Sequence, residues 1–229
     1  MDFRGFGRSA GLHGYVASHR DLVTDAVRFL SAVSNRFPHA PLFAMGFSMG
    51  GLALLHTIMA APSMPLTGVI FHAPPIHIAL APPYIVVAAG RFLARWFPTF
   101  ALPEMGNVRR KNSAAVAPAV AAMEAADAVF YKGGLRFGTA IALIDGSVAL
   151  SLDDITVPFL LLHGDNDRIC ALTGANASCT CVALHLTFID KTLVVVPQGE
   201  HNTVYEPAAV RDGYLQHIID WLNARAPGS

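Results

Sequence analysis

Short unbroken apolar runs alternate along this chain with longer stretches of helical periodicity. Residues 42–45, 68–72, 157–163 and 192–196 are apolar runs of strand length. They are continuous rather than alternating, which is the pattern of strands covered on both faces in a parallel sheet. Between and around them lie helices. Ser18 and Asp21 approximate a capping box, Leu22, Ala26, Phe29, Val33 and Phe37 recur on one face, and Pro38 ends the run. Residues 52–61 are rich in helix formers, and residues 207–224 predict a closing helix with Val210, Tyr214, Ile218 and Leu222 on one face. Strand, helix, strand alternation implies a parallel sheet with crossover helices.

From about residue 76 to residue 151 that rhythm stops. Residues 84–97 predict a helix with Ile85, Ala89, Phe92 or Leu93, and Trp96 on one face and Arg91 and Arg95 on another, closed by Pro98. Arg109-Arg110-Lys111 and an alanine-rich run to Ala126 follow. This stretch reads as a helical insertion over the C-terminal edge of the sheet, where ligands of such sheets bind. The chain then divides into residues 1–75, the first part of the core; 76–151, a helical cap; and 152–229, the second part of the core. Arg91 and Arg95 are expected on a solvated helix face in preference to a membrane-docking one. At the N-terminus Gly5, Gly7, Gly11 and Gly14 predict an irregular loop, with neither an opening strand nor a targeting pattern.

Composition narrows the classes. The 229 residues are 53% hydrophobic and 14% charged, enough for one sizeable core and far from a disordered chain. Lys+Arg and Asp+Glu are both 16, which gives no footprint for nucleic acid. Three cysteines, Cys170, Cys179 and Cys181, are too few and wrongly spaced for a disulfide framework or a zinc site, so a reducing, cytoplasmic setting is expected. No run reaches the roughly 18 apolar residues of a spanning helix.

The candidate chemistry centres on Gly46-Phe47-Ser48-Met49-Gly50, a Gly-x-Ser-x-Gly turn between a predicted strand and a predicted helix. That is the setting of a nucleophile elbow, in which side chains at Gly46 and Gly50 are expected to collide with neighbouring strand and helix. The N–H groups of the following helix face any oxyanion formed at Ser48, and Met49 supplies the first of them. Two acids, Asp165 and Asp167, follow the third strand, and His201 follows the last. Ser, then Asp, then His, the last two after successive strands, is the chain order of α/β-hydrolases. His185 precedes the last strand and His217 falls within the closing helix, where catalysis is uncommon. Cys170, three residues beyond Asp167, is read as a packing thiol more readily than a reactive one.

Five collinear segments carry a family resemblance: residues 2–9, the elbow with its extra Gly51, residues 127–135, residues 157–170, and residues 190–193 leading to 199–201. Through them the chain resembles the monoacylglycerol lipase group of α/β-hydrolases. The resemblance implies a mostly parallel sheet with flanking helices and a helical cap, Ser48 as nucleophile, Asp167 as triad acid and His201 as general base. It selects Asp167 over Asp165 through the Gly-x-x-Asp-Arg pattern at residues 164–168. It implies a small lipid ester substrate carrying one acyl chain, a monoacylglycerol or lysophospholipid, with no metal or cofactor. Peripheral membrane contact through the cap is a further expectation.

In such proteins a second oxyanion donor comes from a His-Gly-type loop after a strand that precedes the segment matching Asp2. Residues 1–229 hold no counterpart of it, so the fold is expected to be N-terminally incomplete, as in a truncated gene product, with residues 42–45 as a bare apolar edge. The residues from Ser178 to Val182 stand where a helix former is expected between the last two strands. The alternative reading is an impaired remnant, or a noncatalytic binding protein on a hydrolase fold.

Overall fold

The computed structural model describes residues 1–76, 84–102, 112–148, 155–170 and 190–226. Arg109, Arg110, Lys111, Cys179, Cys181 and His185 lie outside them, as does the segment from Ser178 to Val182. Among the described residues, four parallel strands form the main sheet: β1 (Phe43–Phe47), β2 (Gly68–His72), β5 (Phe159–Gly164) and β6 (Lys191–Val196), in the order β1-β2-β5-β6. Their register pairs Met45 with Ile70, Ile70 with Leu160, and Leu160 with Thr192.

The two central strands are buried along their whole length because both faces are covered. Side chains of a strand alternate between faces. Val69, Phe71, Phe159 and Leu161 meet Leu30 of helix α1 (His19–Arg36) and Leu54, Leu55 and Ile58 of helix α2 (Met49–Ala60). Ile70, Leu160 and Leu162 meet Tyr214 and Trp221 of the closing helix α6 (Ala208–Asn223) on the opposite face. This three-layer arrangement leaves the strand C-termini, and the loops that leave them, at one end.

Helix α1 departs from its sequence reading in two respects. Ser18 does cap it, accepting from Arg20 N at 3.2 Å, but Asp21 does not reach back to complete a capping box. Its carboxylate is taken by Arg4 Nη1 at 3.2 Å, alongside Asp25, which Arg4 binds through Nη2 at 2.5 Å. The buried stripe is Leu22, Ala26 and Leu30, while Phe29 and Phe37 are exposed. The N-terminal loop pinned by Arg4 has positive φ at Gly5, Gly7, Gly11 and Gly14, as its glycines predict.

Between β2 and β5 lie α3 (Tyr84–Trp96), α4 (Ala117–Ala126), α5 (Phe137–Val148) and a two-stranded antiparallel pair, β3 (Ala101–Leu102) with β4 (Leu135–Arg136). Helix α5 joins the core: Ala142 is buried with Val16, Leu22 and Ala53, and Thr139 Oγ1 bridges Gly14 O and Val16 N. Helix α3 buries none of its side chains. Arg91 is not simply solvated, because Nη2 pairs with Asp145 Oδ1 of α5 at 2.5 Å.

Among the described residues β1 has a single neighbour, β2, and is an edge of the sheet. Met45 is 52% and Phe47 40% exposed there. At the C-terminal end of β2, His72 is buried and its Nδ1 stands 3.0 Å from the hydroxyl of Tyr214, while no polar atom of the described residues meets its Nε2. Burial, reinforced by the nearby His201 and His163 and opposed by Asp167, pushes the His72 imidazole down to about 3. Burial likewise raises the Tyr214 phenol to about 12.

Two outcomes follow from these contacts. The exits of β5 and β6 touch at Gly164, where a Cβ would stand 2.0 Å from the carbonyl oxygen of Gly199, which also accepts from Asn166 N at 3.0 Å. Gly164→Ala is expected to destabilise the chain by about 1–3 kcal/mol or more, read as a lowered denaturant midpoint, because backbone rather than a flexible side chain must move. His72 binds its proton less readily folded than unfolded, so the stability it confers is complete above the ordinary histidine range and falls as pH drops from about 6.5 toward 3. His72→Gln should flatten that acid arm by on the order of a few kcal/mol in urea titrations repeated across this range.

Candidate active site

Ser48 is the single residue between the end of β1 and the start of α2. Its backbone sits at φ 50°, ψ −117°, a region that costs a non-glycine residue about 1–3 kcal/mol and persists only where surrounding contacts enforce it. Those contacts are present: Ser48 N donates to His72 O at 2.9 Å, and Leu52 N donates to Ser48 O at 3.0 Å. The tight return of α2 against β1 leaves no room at Gly46, where a Cβ would meet Gly50 O at 2.5 Å and Gly51 Cα at 2.7 Å. Gly50 is different from its sequence reading, since a Cβ there meets nothing within 4 Å. The second steric requirement falls on Gly51, whose Cβ would press on Pro74 at 3.0 Å. Ser48 makes no side-chain cap to α2, so its hydroxyl is not committed to the helix.

Asp167 and His201 come together across the exits of β5 and β6. His201 Nδ1 donates to Asp167 Oδ2 at 2.7 Å, with side-chain exposures of 5% and 0%. Oδ1 of the same carboxylate accepts from Ile169 N at 2.8 Å and Cys170 N at 2.9 Å. His163, at the end of β5, brings a second imidazole, with Nε2 3.2 Å from Oδ2. Burial alone would raise this carboxyl. The hydrogen bonds from His163 and His201, the charge of His201 and the Ile169 N–H outweigh it and hold Asp167 well below the ordinary carboxylate range.

The rival acid has another task. Asp165 Oδ1 accepts from Gln198 N at 2.7 Å, tying the β5 exit loop to the β6 exit loop at the surface. His217 is exposed on α6. Cys170 is buried, its N–H on Asp167 and its carbonyl 2.6 Å from His163 Nε2.

The loop that carries His201 is fastened on both sides. Glu200 N donates to Glu206 Oε1 at 2.6 Å, Thr203 Oγ1 donates to Glu200 O at 2.7 Å, and Glu200 Oε2 accepts from Ser113 N of the cap at 2.9 Å. Asn202 Nδ2 reaches Asn112 Oδ1 of the cap at 3.1 Å. Burial first, then the neighbouring Glu200, raises the Glu206 carboxyl against the opposing Glu200 N–H.

Ser48, Met49 and His201 all line one cavity of about 1030 Å³. Its remaining wall is mostly apolar, with Val120, Met123, Val129, Phe130 and Leu143 from the cap region and Phe6 from the N-terminal loop. The ring of Phe47 lies 4.8 Å from that of His72 and 4.9 Å from that of His201, fixing the imidazole's flank. The Ser48 hydroxyl has no hydrogen-bond partner among the described residues, so the Ser48 to His201 link is open, as ligand-free catalytic sites often are.

Sequence reasoning passed over His72, His163 and Glu200. The usable signal was position: the first two are polar residues ending otherwise apolar strands, at the edge where parallel sheets bind ligands.

The chain is similar in sequence and in fold to known proteins. Over 231 residues the chain is 27% identical to human monoglyceride lipase, covering 98% of this chain and 72% of that protein. It is also 27% identical to the monoacylglycerol lipase of Mycolicibacterium smegmatis over 228 residues, 97% of this chain and 76% of the relative. The crystal structure of the Paleococcus ferrophilus monoacylglycerol lipase shares the fold with a TM-score of 0.76 at 21% identity, over 98% of this chain and 82% of that one. Residues 1–208 match the Hydrolase_4 family, described as serine aminopeptidase, S33, and the chain therefore belongs to that family of α/β-hydrolases.

Proposed function

We propose that the chain is a serine hydrolase that cleaves the carboxylic ester of single-acyl-chain lipids, monoacylglycerols or lysophospholipids, through an acyl-enzyme. One observation carries this reading: the buried Asp167 to His201 bond of 2.7 Å beside a strained serine that shares an apolar cavity with that histidine. Asp167 holds the proton of His201 on Nδ1 and leaves the lone pair on Nε2. That lone pair takes the Ser48 hydroxyl proton as Oγ attacks the ester carbonyl. The oxyanion so formed is stabilised by the Met49 N–H at the start of α2. Collapse expels the alcohol with the proton from His201, and water, deprotonated by the same imidazole, releases the fatty acid. The reaction uses side chains, a backbone N–H and water.

The substrate class rests on the cavity and the relatives. About 1030 Å³ bounded mainly by apolar side chains suits an acyl chain, and the relatives in the comparison include monoglyceride lipases. Delivery of such a substrate from a lipid surface is favoured by α3, which exposes Tyr84, Ile85, Phe92 and Trp96 next to Phe97 and Phe100. No helix among the described residues is long and apolar enough to cross a membrane.

The edge position of β1 favours a second reading, an impaired enzyme. Among the described residues no strand lies on its far side to bring a second N–H toward Ser48. An oxyanion hole with one donor is slower by about 100- to 1,000-fold than one with two.

Hydrolysis of a monoacylglycerol should therefore be measurable but slow in the 229-residue chain. Ser48→Ala should remove it without lowering the unfolding temperature, and Asp167→Asn should cost roughly 10⁴-fold in kcat with the fold retained. Turnover that survives Ser48→Ala would overturn the assignment, and a chain inert in every form would favour a binding role. Trp96→Ser with Phe92→Ser should weaken cosedimentation with phospholipid vesicles and leave hydrolysis of a short, water-soluble ester unchanged.

A further inference from the structure

The proposed mechanism requires one imidazole on Asp167, and the structure supplies two. His163 is 6% exposed at the end of β5. Its Nε2 lies 2.6 Å from the Cys170 carbonyl oxygen and 3.2 Å from Asp167 Oδ2, the oxygen that also receives His201 Nδ1. A nitrogen facing two oxygen acceptors must carry a hydrogen, because a lone pair there would be repelled by both. The His163 N–H is therefore shared between the carbonyl and the carboxylate.

The local connectivity shows what that hydrogen does. Cys170 N donates to Asp167 Oδ1 at 2.9 Å while the Cys170 carbonyl meets His163. The turn from Asp167 to Cys170 is thus stitched from both sides of one residue. Ile169 N adds a further bond to Oδ1 at 2.8 Å. With two backbone N–H groups on Oδ1 and two imidazoles on Oδ2, the carboxylate plane has a single satisfactory orientation. That orientation presents Oδ2 to His201. Without His163 the Cys170 carbonyl loses this N–H, and of the two imidazoles on Oδ2 only His201 remains to share the charge of Asp167.

We propose that His163 is a positioning residue for ester hydrolysis, fixing the Asp167 carboxylate and the turn behind it and sharing that carboxylate's charge with His201. The inference rests on the reading of Ser48, Asp167 and His201 as the reacting set. It goes beyond that reading by giving a role to a residue that touches no reacting atom. Among the described residues, the ionisable groups around His163 include Asp167 and Cys170 on its own loop, His201 from the β6 exit and His72 from β2. His72, held neutral by burial, adds no charge to the set at neutral pH.

A histidine that merely fills the core would be replaceable by an apolar side chain at a cost in stability alone. Here His163→Leu is expected to lower kcat about tenfold, the typical worth of one hydrogen bond, with KM changed less than about twofold. It should also move the acid limb of the kcat/KM profile upward, because the carboxylate charge is then no longer shared between two imidazoles. His163→Gln keeps an N–H donor and should recover most of the rate and restore the limb. In wild-type protein with ¹⁵N-labelled imidazoles, the His163 resonances should show a proton on Nε2, a readout that stands even if the leucine variant does not fold. A wild-type rate and acid limb in His163→Leu would overturn the positioning role, as would a His163 proton on Nδ1 with Nε2 bare, or a glutamine variant no better than leucine. Turnover that persists in Ser48→Ala would instead strike the underlying hydrolase reading, whatever the His163 variants do.

Discussion

The Asp167 side chain is fully buried, and an ionised carboxylate taken out of water is tolerated only where donors replace its hydration. Two backbone N–H groups and two imidazole nitrogens do so here. This requirement organises the C-terminal end of the sheet. The exits of β5 and β6 must touch, which the glycine contact at residues 164 and 199 permits. The turn after β5 must fold back within three residues, and the loop after β6 must be tied at Glu200 and Asn202 so that His201 stays in reach. The strained Ser48 faces the same cavity because its backbone is held by β2 and α2.

The arrangement separates rigid from adjustable parts. Asp167 follows the central, fully buried β5, while Ser48 and His201 follow the flanking β1 and β6 and are tied to the central strands and their loops by Ser48 N to His72 O and His201 Nδ1 to Asp167 Oδ2. The ties of the cap among the described residues include Arg91 to Asp145, Ser113 to Glu200 and Asn112 to Asn202. Two of these three reach the residues flanking His201, so the base and the cap are mechanically joined. Among the described residues, the exposed apolar face of α3 and the open edge of β1 are two places where hydrophobic side chains stand uncovered.

Much of this was legible in the sequence because strong local signals and global packing agree. The apolar runs around Ile70 and Leu160 became the central strands, and the glycine-flanked Ser48 became the elbow, since strand, turn and helix each have a local signature. What failed was detail decided by tertiary contact. Gly50 belongs to the motif, yet Gly51 makes the close contact. Phe29 and Phe37 continue the period of α1, but the helix packs through Leu22, Ala26 and Leu30 and leaves both in solvent. Asp21 suits a capping box until Arg4, brought back by the N-terminal loop, takes its carboxylate. His72 and His163 look like ordinary strand ends, and only the convergence of β2, β5 and α6 reveals their partners.

The central claim, that Ser48, His201 and Asp167 act as one set, is tested most directly by a crystal structure after reaction with an alkyl phosphonate ester. The account predicts a covalent Ser48 Oγ–phosphorus bond, a phosphonyl oxygen within hydrogen-bond distance of Met49 N, and His201 Nε2 turned to Ser48 Oγ with the bond to Asp167 intact. A phosphonate attached to another residue, or an adduct on Ser48 with His201 turned away from both Oγ and Asp167, would contradict it.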